Sequence, residues 1–141
     1  MENKSISELE GWRWEGSIPK RETHSGVECR FYELHTKPIS DLEIDEIRFL
    51  IGQNSGLEHL VPYAISKLKE DILFEAEYYP GDLLCSVLQI NNKPNYWITH
   101  RNVQQDMIHL MNENIHRLSS SDVNYEIIQK IKAAYKAFQA V

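Results

Sequence analysis

Apolar residues recur at intervals of three and four along most of the chain, the spacing that gathers side chains on one face of an α-helix. The longest run is Leu57, Leu60, Val61, Ala64, Ile65, Leu68 and Ile72, a single helical stripe. Pro62 falls inside it. Proline removes one backbone hydrogen bond and crowds the carbonyl four residues earlier, so the pattern predicts a regular helix from about residue 61, or a kink there. After the turn residues Tyr78-Tyr79-Pro80-Gly81-Asp82, helical spacing resumes with Leu83, Leu84, Val87 and Leu88. Asn91-Asn92-Lys93-Pro94-Asn95 breaks the chain again. Val103, Met107, Leu110, Met111, Asn114 and Leu118 then predict one helix from Thr99 to Leu118. Ile127, Ile131, Ala134, Tyr135 and Phe138 predict another after Ser121-Asp122.

Helix starts are marked earlier in the chain. Ser25 and Glu28 have the spacing of a capping box, and Val27, Phe31 and Leu34 follow before Pro38, which predicts a helix near 26–36. Ser40 and Glu43 repeat the capping spacing, with Ile39 opposite Ile44 as a hydrophobic staple and Ile44, Ile47, Leu50 and Ile51 on one face up to Gly52. Only Gly11-Trp12-Arg13-Trp14-Glu15 and Tyr96-Trp97-Ile98 read as extended, enough for a minor two-stranded ribbon at most. The expected fold is therefore all-α, a single compact domain spanning 1–141 with six or seven helices. Leu60, Leu68 and Leu84 are placed in its core.

Composition fits this reading. A chain of 141 residues with 42% hydrophobic residues, 3 Trp, 7 Tyr and 4 Phe is one globular domain rather than a disordered segment. No apolar run approaches the roughly 18 residues of a membrane span, and the first residues lack a secretory leader, so a cytoplasmic location is expected. Cys29 and Cys85 stand outside any metal or disulfide spacing and read as small core hydrophobes. The net charge is −6, and residues 38–92 alone carry ten acids against three bases, so the middle of the chain supplies the negative field. Nucleic-acid affinity rests on neutralised phosphates, so the acidic balance argues against DNA or RNA as the direct ligand and favours a basic partner.

No nucleophile elbow, phosphate loop, dinucleotide fingerprint or zinc-protease motif is present, so neither an enzyme nor a cofactor is expected. His109, Glu113 and His116 are spaced to share one face of the predicted 99–118 helix. That face lies opposite the apolar one, which favours a solvated stripe over a metal site. Trp12 and Trp14 are expected to pack on the helices rather than serve as exposed anchors. Asp41, Glu43, Asp45 and Glu46 fall where negative charge offsets a helix dipole. From Glu70 to Asn92 no Lys or Arg intervenes. Glu70, Asp71, Glu75 and Glu77, with Tyr78 and Tyr79 among them, are therefore the candidate partner-binding residues, and Asp41 and Asp45 are the next candidates.

Several segments match one family in order: Pro38-Ile39, Asp45-Glu46-Ile47-Arg48-Phe49-Leu50-Ile51-Gly52-Gln53-Asn54, Gly56-Leu57, Leu60-Val61-Pro62 and Tyr79-Pro80-Gly81-Asp82-Leu83-Leu84. Over about residues 26–90 the chain resembles immunity proteins of bacterial contact-dependent growth inhibition systems. It departs from their pattern in having no glycine within Leu73-Phe74-Glu75-Ala76-Glu77. The resemblance implies a small cytoplasmic protein that binds and neutralises the C-terminal toxin domain of a delivered effector, often a nuclease. It implies scaffold roles for the matched residues, with glycines 52, 56 and 81 in turns and Arg48 able to pair with Asp82. An acidic inhibitor suits the basic phosphate-binding site of such a toxin. The competing reading is a helical adaptor or regulatory module for another protein partner.

Overall fold

The computed structural model describes residues 3–11, 14, 18–120 and 122–141. Among them are nine α-helices and no strand or sheet, the all-α fold that the periodicity predicts. The chain divides into two compact units, Met1–Glu46 and Ile47–Val141.

In the first unit, α1 (Ile6–Glu10) packs on α2 (Gly26–Thr36). Both begin with a capping box. At α2 the Glu28 amide donates to Ser25 Oγ at 3.1 Å while the Ser25 amide donates to Glu28 Oε1 at 3.3 Å, as the spacing predicts. Ser5 and Glu8 repeat the arrangement at α1. The buried residues of α2 are Cys29, Leu34 and His35, with Phe31 and Tyr32 half-buried, whereas Val27 is exposed and does not join them. Trp14 packs against Phe31 and Tyr32, with ring centroids at 6.4 and 6.0 Å, while Trp12 lies outside the described residues. An isolated bridge between Ser5 and Pro38 is the only β pairing among the described residues.

The second capping box does not form at Ser40. Residues Ile39–Asp41 make a 3-10 turn, and α3 (Ile44–Gly52) starts later. There the Glu43 amide donates to Glu46 Oε1 at 2.8 Å, so the glutamate that reaches back is Glu46. Ile39 donates its amide to Lys4 O and Pro38 bridges Ser5, and the α-helix begins only after the 3-10 turn that follows them. At the other end, the residue in left-handed conformation is Asn54 (φ 56°) rather than Gly52. The Ser55 amide donates to Leu50 O and the Asn54 amide to Ile51 O, a Schellman closure.

The second unit is built around α5 (Asp82–Leu88), every residue of which is buried, packed against α4 (Leu57–Glu70) and α9 (Tyr125–Gln139). Leu60, Leu68 and Leu84 are fully buried as expected. α4 runs unbroken through Pro62, so the helix starts at Leu57 rather than near 61. Tyr96-Trp97-Ile98 is not extended. It forms the short helix α6 (Tyr96–Thr99), in which the Trp97 amide donates to the Asn95 side chain at 2.8 Å and Trp97 packs edge-on to Phe138 at 5.0 Å. The predicted 99–118 helix is two helices, α7 (Arg101–Glu113) and α8 (Ile115–Ser120), parted at Asn114. The Asn114 side-chain amide donates to the Leu110 carbonyl at 2.8 Å, and its backbone amide tightens onto Met111 O.

Candidate functional site

The segment from Glu70 to Asp82 is shaped by its own last residue. Asp82 is buried at the start of α5, and its carboxylate accepts backbone hydrogen bonds from Ala76 (2.7 Å), Glu77 (2.8 Å) and Tyr78 (2.8 Å). Gly81 precedes it with φ 90°, a conformation open to glycine, and a Cβ there would stand 2.9 Å from Ile131 Cδ1. The positive backbone angle is what calls for glycine here, and a larger residue would also have to push aside the tip of the Ile131 side chain.

Arg48 on α3 is the counter-ion. Its Nη2 donates to Glu77 Oε2 at 3.2 Å and its Nη1 to Ser86 Oγ at 3.4 Å, while Nε lies 3.9 Å from Asp82 Oδ2, a charge contact too long for a hydrogen bond. The guanidinium also lies over the Tyr78 ring, 4.9 Å from its centroid. The pairing of Arg48 with Asp82 that the matched motif implied is therefore present, and it extends to Glu77.

The candidate residues separate into two sets. Glu70 pairs with Lys67 at 3.8 Å, and Asp71 pairs with Arg117 at 2.6 Å while accepting from the Leu73 amide. Tyr79 is half-buried under Lys130, whose ammonium lies 4.8 Å from the ring centroid and 3.4 Å from the hydroxyl; burial pushes that hydroxyl's pKa up. Tyr78, at 66% exposure, presents its ring to solvent. Glu75 is exposed and has no ion-pair or hydrogen-bond partner among the described residues.

Asp41 and Asp45 belong to the first unit. Asp41 lies in the 3-10 turn and Asp45 in the first turn of α3, 3.5 Å from Arg30. Their neighbour Glu46 is engaged more closely. Burial would raise its carboxyl, but the Glu43 amide and the Lys37 ammonium at 2.9 Å hold it below the usual carboxylate range.

A groove of about 810 Å³ runs beside the acidic segment. One wall comes from the 71–80 segment, with Asp71, Leu73, Glu75 and Pro80. The other comes from α8, the α8–α9 connection and the start of α9, with Arg117, Asp122, Val123 and Ile127. In the sequence, Asp122 marks a helix start and Ile127 a helix face, and neither they nor Val123 stand out as partner-binding residues. Their only signal was an acid beside an apolar residue in a predicted helix start.

His109 and Glu113 form an exposed pair at 2.8 Å on α7, while His116 lies beyond the break on α8. No group of three or more potential metal ligands occurs among the described residues, and no helix there is long and apolar enough to cross a membrane. A family model described as CDI immunity proteins matches residues 8–107. No curated protein sequence matches the chain.

Proposed function

Because the chain belongs to the CDI immunity protein family, which supports an immunity function against a CDI toxin, we propose that it acts in the cytoplasm by stoichiometric binding of the cognate toxin domain, without catalysis. The toxin in this reading is a nuclease with a basic substrate site. The contact surface is the acidic segment of Glu70, Asp71, Glu75, Glu77, Tyr78 and Tyr79, with Asp41 and Asp45 as a second contact.

The observation that carries the reading is the way the segment is built. A buried aspartate fixes the backbone of residues 76–78, with the exposed Tyr78 ring on that stretch and exposed Glu75 beside it, so the chain path that presents them is set before a partner arrives. Preordered contact residues lose little freedom on binding, and acidic charge steers a basic partner toward them. The test is co-expression with the cognate toxin domain. A stable one-to-one complex, suppressed nucleic-acid cleavage in vitro and survival of toxin-expressing cells are expected. Failure to form the complex sinks the reading, and a complex with a toxin that leaves nucleic acid intact removes the nuclease part.

A further inference from the structure

The acidic segment is less negative toward a partner than its sequence suggests, because most of its carboxylates are already used. Glu70 has Lys67, Asp71 has Arg117, and Glu77 and Asp82 have Arg48. Glu75 does not, and neither does Asp122 across the groove, which is exposed with no ion-pair or hydrogen-bond partner among the described residues. The rest of the lining is mixed: Leu73, Pro80, Val123 and Ile127 are apolar, while Ser120, Asn124 and the Asp71–Arg117 pair are polar.

We infer that this groove is a socket for a lysine or arginine side chain on a projecting segment of the toxin domain. The inference rests on the toxin-binding reading and narrows it to one surface. Lysine and arginine have an aliphatic stem and a charged head, and they bury the first while keeping the second among polar groups. The groove offers both kinds of surface, apolar side chains for the stem and, for the head, two carboxylates without a partner among the described residues. A hydrated inorganic cation would gain nothing from the apolar walls. The Asp71–Arg117 pair closes part of the lining with its charges already matched, leaving Glu75 and Asp122 as the attractive positions. A volume of about 810 Å³ exceeds one side chain, so flanking residues of the toxin segment enter as well.

Stopped-flow binding to the cognate toxin domain tests this with three variants and the parent. Glu75→Gln/Asp122→Asn removes both charges with little change of shape, and is expected to slow association about tenfold at low salt and to flatten its salt dependence. Val123→Trp fills the groove without changing charge, and is expected to speed dissociation about tenfold, since most interface substitutions act there. Asp106→Asn/Glu113→Gln makes the same charge change on α7, and is expected to stay within about twofold of the parent. Each variant is first matched to the parent by circular dichroism and thermal midpoint. If the groove variants bind like the parent, or the α7 variant slows binding as much as they do, the socket is overturned and toxin binding stands. If the parent itself does not bind, the toxin-binding reading falls. If the groove variants lose affinity for free spermidine while toxin binding is unchanged, the occupant is a small polyamine and the socket assignment fails.

Discussion

Asp82 and Gly81 determine the conformation of the acidic segment, and their roles are separable by substitution. Asp82→Ala removes the acceptor of three amides and the buried partner of Arg48, at an expected cost of about 3–5 kcal/mol. Asp82→Asn keeps an acceptor oxygen and should cost less, an ordering that urea denaturation would check. His35 contributes a pH dependence. Its Nδ1–H donates to the Phe31 carbonyl at 2.6 Å, and burial depresses its pKa below the ordinary 6.5 in spite of that bond. The folded protein therefore binds this proton less tightly than the unfolded chain. The stability from neutral His35 is complete above about pH 6.5 and declines as the pH falls below it. Thermal midpoints measured from about pH 7.5 to 5 should fall in the parent, and fall less in His35→Gln.

At the scale of elements, what was legible in the sequence was what repeats. The stripe from Leu57 to Leu68 gave α4, and Leu60, Leu68 and Leu84 lie in the core it implied. Each should cost about 2–5 kcal/mol when replaced by Ala. Unfolding midpoints near the parent's for all three would contradict the packing around α5. What was not legible came from single polar contacts that outweigh periodicity. Asn114 sits on the apolar face of the predicted 99–118 helix, yet its side chain takes the Leu110 carbonyl and parts α7 from α8. Asn95 caps Tyr96-Trp97 into a helix against the strand preference of aromatic and branched residues. The acidic segment was visible because its residues are consecutive, whereas the groove was not, because its second wall arrives from α8 and α9. The break at Asn114 also separates His109 from His116. Neither His109→Ala nor His116→Ala should reduce protection of toxin-expressing cells. Loss of protection in either, restored by added zinc, would establish a metal role.

For the whole molecule the relevant quantity is the field left after internal pairing. A count of acids overstates what a partner meets near the acidic segment, where Lys67, Arg48 and Arg117 already stand against carboxylates. Binding should therefore depend on salt less steeply than a count of acids implies. Raising NaCl from about 50 to 500 mM should slow association while leaving dissociation nearly constant, because screening acts on the long-range encounter. A dissociation rate that rises in parallel would show that the complex is held by exposed ion pairs. The hydrogen bonds from residues 76–78 to Asp82 have a further consequence. They use the backbone N–H, which every residue but proline possesses, so the chain path at these positions is independent of which side chains it carries. An outward residue such as Tyr78 can then be exchanged during divergence without rebuilding the platform, and a lineage facing a new toxin can change its recognition chemistry while its scaffold stays constant.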